Sequence, residues 1–436
     1  MAALIELART SGNLLLIDAP RGAEVSCDFF SFEPGPSCLG VKLLTPGIHL
    51  LASAPCADGV RSWLWFEVLQ GGSTHVARWS NEDEAFAIVA SAPQTALPCV
   101  CGSANDEALM HAARNLELDA RLGVLPADGV KNWTALTRHV SRDVTMRISP
   151  SSSKCAGSGG GGIPATADPP PSIAAEILAD VMKTTTTTTT TNHVLAAAPH
   201  EFESLSFSSI RGMRVTDGPA ARAAHALDTS YALLEVAAAA AAADNNEATL
   251  LGEFEAAFVL TLIAQSFAAL EAWKGLADAA CRASDLLVGR KKGHLLGPSF
   301  FISLFTVLNI QLHTLPPHFF GADIAQGVFL GPALSSLLRS AREAARDTAE
   351  TNDALINIPA VRIAVGKLLS TAQEHCAWKP QARGAVEDVC ALAAGRQLEV
   401  AALGGGTEEA INLQALLQAL IEEGGDEDGP AIVCQD

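Results

Sequence analysis

The first fifty residues carry short, almost continuously apolar runs separated by Pro and Gly. The runs lie within residues 14–22, 32–36 and 40–51. Apolar runs bounded by turn residues are typical of β-strands joined through tight turns. The first run lacks the polar–apolar alternation of a half-exposed strand, so we expect it to be buried on both faces.

Two further β-rich runs, residues 62–69 and 74–79, flank a Gly-Gly pair. A Gly-Gly pair suits a turn with positive φ, so the pattern predicts that the two runs pair with each other as a hairpin. Trp63 and Trp65 fall on one face of the first run because side chains alternate along a strand. Two tryptophans on one face can form a ligand platform, but we expect them to be buried core.

Two helices follow these strands and complete an N-terminal domain that we place at residues 1–148. Short polar side chains cap the N-termini of helices, and Asn105 and Asp128 are the expected caps. Apolar residues recur at helical spacing after each of them. They are Leu109, Ala113 and Leu116 in the first helix, and Val130, Trp133, Leu136 and Val140 in the second.

Residues 149–203 lose all hydrophobic periodicity. The segment includes four glycines at 159–162 and eight threonines at 184–191. Such a low-complexity composition cannot build a packed core, so we predict a disordered linker. The glycine run is not a phosphate-binding loop, because no Lys-Ser or Lys-Thr pair follows it at the required distance. As a flexible coil, the linker would span about 40 Å.

Apolar residues step by three and four through most of the second half, which predicts at least six amphipathic helices and an all-α domain over residues 204–423. The two prolines at 316–317 should end one helix, and Pro359 should lie in the first turn of another. The alanine run at 237–243 either extends the helix that contains Tyr231 or forms a loop. The positions that define the helices are Ala224, Leu227, Tyr231 and Leu234; Leu251, Phe254, Phe258 and Leu262; Leu270, Trp273 and Ala277; Phe301, Leu304, Leu308 and Leu312; Leu334, Leu337 and Ala341; Val361, Val365, Leu368 and Ala372; and Leu413, Leu416 and Leu420.

The last residues, 424–436, form an acidic tail that carries a short apolar segment. A β-branched pair in an otherwise polar terminus is not expected to add to a helical core. One interpretation is a frayed end, and the other is a strand that adds to an exposed sheet edge on another protein. The candidate residues for such strand addition are Pro430, Ala431, Ile432, Val433 and Cys434.

The chain has 48 acidic and 29 basic residues, a formal net charge of −19. Nucleic-acid binding depends on Lys and Arg that neutralise phosphates, so no direct nucleic-acid contact is expected. We interpret the dense basic run at residues 290–292 as a solvated loop and not as a phosphate-binding site. Ten scattered cysteines predict reduced thiols in a cytosolic or nuclear protein. Apolar stretches fall short of the roughly 20 residues that cross a bilayer, and no secretory signal is recognisable, so we expect a soluble protein.

No catalytic constellation is recognisable in the sequence. A Gly-x-Ser-x-Gly elbow, a His-Glu-x-x-His helix and a dinucleotide fingerprint are all missing from it. The eleven histidines are dispersed, and we expect His49 and His313 to be structural. These patterns predict no enzyme, no cofactor and no metal. A hydrolase whose catalytic residues converge from distant positions remains an alternative.

Segments in both halves of the chain resemble, in order and spacing, those of the Aar-two splicing factors. They are residues 14–22, 32–36, 40–51, 78–79, 132–137, 228–233, 251–258, 269–274 and 315–320. The resemblance covers about residues 10–145 and 200–380. It implies an α+β protein with a β-sandwich-like N-terminal domain with flanking helices and an all-α C-terminal domain similar to VHS domains.

The resemblance also implies a function in pre-mRNA splicing, in the cytoplasm and the nucleus. Members of the family are assembly chaperones of the U5 snRNP that bind the RNase-H-like and endonuclease-like domains of the large spliceosomal scaffold protein. They keep the unwinding helicase off that scaffold until they are released. A C-terminal tail adds a strand between the two scaffold domains, and residues 430–434 look like its counterpart. The family is also expected to be released by phosphorylation, for which Ser204, Ser206, Ser208 and Ser209 are candidates.

The chain departs from the family in its linker, which is far richer in low-complexity sequence, and in residues 383–423, which match nothing in the family and could form one or two extra helices. Neither a membrane nor a small-molecule substrate is expected among its partners. The alternative to a splicing factor is a VHS-like helical adaptor that binds peptide cargo in trafficking.

Overall fold

The computed structural model describes residues 10–35, 37–56, 59–92, 103–149, 163–164, 205–208, 228–242, 247–290, 296–316, 330–346 and 354–380. Of these, residues 10–149 form the N-terminal domain and residues 228–380 the helical domain. The predicted order of a β-rich half followed by a helical half is therefore confirmed. Residues 163–164, inside the predicted disordered linker, form a short strand, so that prediction is wrong there. The rest of the linker after Ser149, the last predicted helix, the unmatched segment 383–423 and the tail lie outside the described residues.

Two five-stranded sheets make up the β-structure of the described residues. The strands are β1 (Gly12–Ile17), β2 (Glu24–Cys27), β3 (Phe30–Phe32), β4 (Gly40–Leu44), β5 (Gly47–Ala54), β6 (Ser62–Val68), β7 (Thr74–Ser80), β8 (Ala85–Ala92), β9 (Leu122–Val124) and β10 (Ile163–Pro164). The first sheet has the order β8-β7-β1-β4-β9, with β1–β7 and β4–β9 parallel. The second has the order β10-β6-β5-β2-β3 and is antiparallel throughout.

The first apolar run is buried on both faces, as predicted. Leu14 and Leu16 of β1 face the other sheet and pack with residues such as Phe66. Leu15 points the opposite way, into a smaller cluster with Met110 of the following helix. The exposed fraction of each of the three leucines is at most 3 %. β1 is therefore the central strand of a layer that is covered on both sides.

The predicted hairpin is wrong, because β6 and β7 belong to different sheets. β6 pairs with β5, which places Leu64 opposite Leu51, whereas β7 runs parallel to β1. The Gly-Gly turn does have positive φ, 91° at Gly71 and 84° at Gly72, but it carries the chain from one sheet to the other. An alternating pattern specifies which face of a strand is buried, not which strand it pairs with. Of the two tryptophans expected in the core, Trp63 is buried, whereas Trp65 is half-buried and packs against the apolar cluster that contains Trp63.

Three helices complete the described N-terminal domain: α1 (Ala104–Arg114), α2 (Ala127–Leu136) and α3 (Arg142–Ile148). Both predicted caps are wrong. Ser103 caps α1 in a capping box with Asp106, and Asn105 lies inside the first turn. Pro126 precedes α2 without a side-chain cap, and Asp128 lies in the first turn. The sequence pattern did not predict α3, because two turns are too short to establish a helical period.

The helical domain contains α4 (Ser230–Ala242), α5 (Glu247–Ile263), α6 (Phe267–Cys281), α7 (Ser284–Leu287), α8 (Pro298–Thr314), α9 (Gly331–Arg346) and α10 (Pro359–Glu374). Pro359 is the first residue of α10, and α8 ends two residues before Pro316, as predicted. The alanine run continues α4 as far as Ala242. α5 packs against α6 and α8 against α10. Similarity of this domain to VHS domains stays a prediction.

One apolar cluster joins the two domains. It begins at Trp63 on the outer face of the second sheet, includes Trp133 of α2 and Ile148 of α3, and continues into the helical domain through Phe254 of α5. The Trp133 indole N–H donates to the carbonyl of Ile48 at 2.9 Å and fixes α2 on the sheet. The layers therefore follow in the order α1, first sheet, second sheet, α2 with α3, and helical domain.

Candidate functional site at the domain junction

The helix α5 meets the N-terminal domain along residues 139–148 and the short segment 205–208, and we call this contact the domain junction. The two domains approach each other closely at Gly252. A Cβ atom there would lie 2.4 Å from the carbonyl oxygen of His139 and 2.8 Å from a methyl of Val144. Only glycine leaves room for the backbone that precedes α3, so the glycine sets how deeply the two domains pack.

Glu255 lies one turn further along α5 and has no exposed surface. One of its carboxylate oxygens accepts the backbone N–H of His139 at 2.6 Å, and the other lies 2.7 Å from His139 Nδ1. Burial raises the pKa of Glu255, and the bonds from His139 oppose that rise. The carboxylate of the helical domain is thus satisfied by donors of the N-terminal domain.

Glu253 is the second buried acid of α5. It forms an ion pair with Arg147 of α3 and accepts the backbone N–H of Ser208 at 2.8 Å. Burial lowers the pKa of Arg147. The same guanidinium donates to the Ser208 hydroxyl at 3.4 Å. Glu253 therefore joins α3, α5 and the segment 205–208 at one point.

The segment 205–208 is attached to the end of α3. The Ser206 N–H donates to the carbonyl of Ile148 at 3.0 Å. Leu205 and Phe207 are half-buried and pack against the shared apolar cluster. Ser206 is exposed, whereas Ser208 is half-buried between the charged groups described above. The two serines therefore differ in environment although they are two residues apart.

The predicted site residues are only partly described. Ser206 and Ser208 lie at the domain junction, and the structure brings Ser208 next to Arg147 and Glu253. Ser204, Ser209, Pro430, Ala431, Ile432, Val433 and Cys434 lie outside the described residues. Sequence reasoning missed the junction itself. The available signal was the pair Glu253 and Glu255 in an otherwise apolar stretch of α5.

A buried ion pair lies within the N-terminal domain. His49 Nδ1 is 2.8 Å from a carboxylate oxygen of Asp28, and its Nε2 is 2.7 Å from the carbonyl of Thr45. Because both partners are acceptors, both ring nitrogens donate and the imidazole is protonated. Burial alone would lower the pKa of His49, but the Asp28 carboxylate outweighs it and the pKa is raised. This arrangement agrees with the structural role expected of His49.

His75 lies near this pair but is neutral. Its ring nitrogens are 3.1 Å from the Ser73 hydroxyl and 2.6 Å from the Ser91 hydroxyl. Burial lowers its pKa to about 4. Serine hydroxyls can donate or accept, so they satisfy a neutral imidazole. The N-terminal domain thus contains one charged and one neutral buried histidine.

His313, at the end of α8, lies 3.2 Å from the hydroxyl of Thr371, and its ring centre is 5.4 Å from that of His375. In the described part of the chain, no group of three or more His, Cys, Asp or Glu side chains could hold a metal ion. The contacts of His313 are those of a helix-packing residue.

The buried cysteines of the described ranges, Cys27, Cys281 and Cys376, are free thiols. Burial raises the pKa of all three, to about 12 for Cys376. Such groups are poor nucleophiles because the thiolate is the reactive form. Over the same ranges, the helices are too short or too polar to cross a membrane.

These features define a two-domain α+β protein whose domains meet through one apolar cluster and a junction of buried charges. Two models of known families match the chain, one in each half. The model of the AAR2 N-terminal domain matches residues 10–150, and that of the AAR2 C-terminal repeat region matches residues 206–381. The chain belongs to the AAR2 family.

Curated relatives match over most of their length. Protein AAR2 homolog from Homo sapiens is 27 % identical over 343 residues, which cover 77 % of this chain and 84 % of that protein. The homolog from Pongo abelii is 28 % identical over the same coverage. The homolog from Caenorhabditis elegans is 23 % identical over 349 residues, which cover 77 % of this chain and 88 % of that protein.

Proposed function

We propose that this protein is a non-enzymatic pre-mRNA splicing factor that acts as an assembly chaperone of the U5 snRNP. The observation that carries the proposal is membership of the AAR2 family over both domains. Its partner would be the large spliceosomal scaffold protein, bound at the RNase-H-like and endonuclease-like domains. While bound, it would keep the unwinding helicase off the scaffold until release.

The mechanism we propose is occlusion of a protein surface. A net charge of −19 opposes contact with phosphates, so the protein would reach an RNA-containing assembly through a protein component. No cofactor, metal, membrane or small-molecule substrate takes part in this mechanism. The protein would act in the cytoplasm and the nucleus, where U5 particles are assembled and used.

The acidic tail would contribute a strand to the scaffold through Pro430, Ala431, Ile432, Val433 and Cys434. A strand of that length forms about three or four backbone hydrogen bonds, each worth about 1 kcal/mol net. That is too little to hold a large complex, so affinity would come from the domain surfaces and the tail acting together. An attachment made of several weak parts can be released in steps.

Phosphorylation is our proposed trigger of release. The candidates are Ser204, Ser206, Ser208 and Ser209. Among them, Ser208 has an environment that a phosphate would change, because Arg147 and Glu253 both contact it. A phosphate there would attract Arg147 and repel Glu253, which would leave a buried carboxylate without its cation. A phosphate on the exposed Ser206 would stay in solvent.

Calorimetric titration of the full chain with the scaffold's RNase-H-like and endonuclease-like domains tests this function. We expect direct binding, which a variant lacking residues 429–436 should weaken without losing its fold. Unchanged affinity would remove the tail from the mechanism. Absence of any binding would overturn the proposed function and favour the VHS-like adaptor, whose peptide cargo would then be sought by pull-down from cytoplasmic extract.

A further inference from the structure

The connection between the two domains begins and ends at the same place. The carbonyl of Ile148, at the end of α3, accepts the N–H of Ser206 at 3.0 Å. The chain therefore lies beside the same helix at Ser149 and again at Leu205, and between these points Ile163–Pro164 pair with β6 of the same domain. A free coil of that length would separate its ends by about 40 Å on average. The two ends of the connection thus lie together, so the connection does not hold the domains apart.

The domains instead meet directly through the junction. Val140, Val144 and Ile148 of the N-terminal domain share one apolar cluster with Leu251 and Phe254 of α5. The contact is continuous with the core of the helical domain and with the outer face of the second sheet, so burial of apolar surface stabilises it.

Glu255 fixes the orientation of the two domains at this apolar contact. Its two oxygens accept from the main chain and the side chain of His139, a residue of the other domain. A buried carboxylate that loses its donors is strongly disfavoured, so only one mutual position of the domains satisfies it. Apolar contacts tolerate small rotations, but a pair of charge-assisted hydrogen bonds does not.

We propose that the two domains form one rigid body that holds together without the covalent connection, and that Glu255 is the positioning residue that fixes their mutual orientation. A binding partner then meets a single composite surface, not two tethered domains. That consequence for the scaffold rests on the proposed function, whereas the rigid body itself does not.

The test uses the full chain with a sequence-specific protease site in place of residues 184–191. After cleavage, the two fragments should elute together at the mass of the intact chain in size-exclusion chromatography with light scattering, at low micromolar concentration. Separation of the wild-type fragments would overturn the rigid body. The measurement contains no scaffold protein, so a failure of the proposed function would not affect it.

Glu255→Gln tests the positioning role in the same cut protein. We expect the dissociation constant of the fragments to rise about ten- to hundredfold, since a charge-assisted contact is lost. The matched control is Glu271→Gln, because Glu271 is exposed on α6 and pairs only with Lys274 in the described contacts. A dissociation constant equal to that of the control would overturn the role of Glu255.

Hydrogen exchange on the uncut variant separates positioning from misfolding. In Glu255→Gln, the backbone N–H of His139 should exchange faster, while the amides of α6 and α8 keep their protection. If the amides of α6 and α8 also lost protection, Glu255 would be supporting the fold of the helical domain, and the positioning role would be refuted.

Discussion

Substitution of the junction glycine gives the sharpest energetic test of how closely the domains pack. Gly252 and Gly275 both lie inside helices, α5 and α6, and differ in what a methyl group would meet. At Gly275 nothing lies within 4 Å of the new Cβ. At Gly252 the new Cβ would lie 2.4 Å from a backbone oxygen, which cannot move as a flexible side chain can.

The magnitudes follow from two effects. Replacing a helical glycine by alanine stabilises by about 0.5–1 kcal/mol at either position, because the unfolded chain loses freedom. Overpacking a close contact costs about 1–3 kcal/mol, and this applies only to Gly252→Ala. The stabilisation from replacing a helical glycine is the same in both variants and cancels when they are compared. The Gly275→Ala protein should therefore be more stable than the Gly252→Ala protein by about 1–3 kcal/mol.

Urea denaturation of the full chain, followed by circular dichroism, measures the difference. Gly275→Ala should raise the free energy of unfolding above that of the wild type, and Gly252→Ala should not. Equal stabilisation by both substitutions would show that the domains do not approach each other at Gly252, and the description of the junction would be refuted.

Three further outcomes are expected. Because the pKa of folded His75 is lowered to about 4 while an unfolded histidine titrates near 6.5, its contribution to stability is complete above pH 6.5 and falls as the pH drops to 4. The loss is about 3 kcal/mol, and a His75→Gln variant should show a flatter pH profile of the free energy of unfolding. Ser208→Asp should lower thermal stability through repulsion from Glu253, whereas Ser206→Asp should leave the melting temperature unchanged; equal effects would contradict the environments described. Replacing residues 166–203 with a short Gly/Ser link, which keeps β10, should preserve the melting temperature, and a large fall would show that the connection stabilises the domains.

Local patterns predicted the elements whose burial is regular along the chain. The triple leucine of β1 indicates two-sided burial directly. The three- and four-residue steps predict α8, which ends two residues before Pro316, and α10, which begins with Pro359. These features depend on nearest neighbours in the sequence, so the sequence contains the information needed to find them.

The errors concern choices that depend on distant residues. β6 pairs with β5, which precedes it in the sequence, and not with β7, which follows it. The residues of β6 predict a strand but do not show which neighbour it pairs with. The error at the first cap is local instead: Ser103, two residues before Asn105, is an equally suitable N-cap residue. Glu253 and Glu255 are conspicuous in an apolar helix, but the sequence does not show which donors they meet, since a buried acid and a solvated acid differ only in the partners that the fold brings to them.

The central claim is that this protein occludes a surface of the spliceosomal scaffold, and competition with the unwinding helicase tests it most directly. The scaffold is first saturated with labelled helicase, and the full chain is then added in increasing amounts. The account predicts that bound helicase falls as this protein binds, in a one-for-one exchange. Simultaneous binding of both proteins to the same scaffold would contradict it.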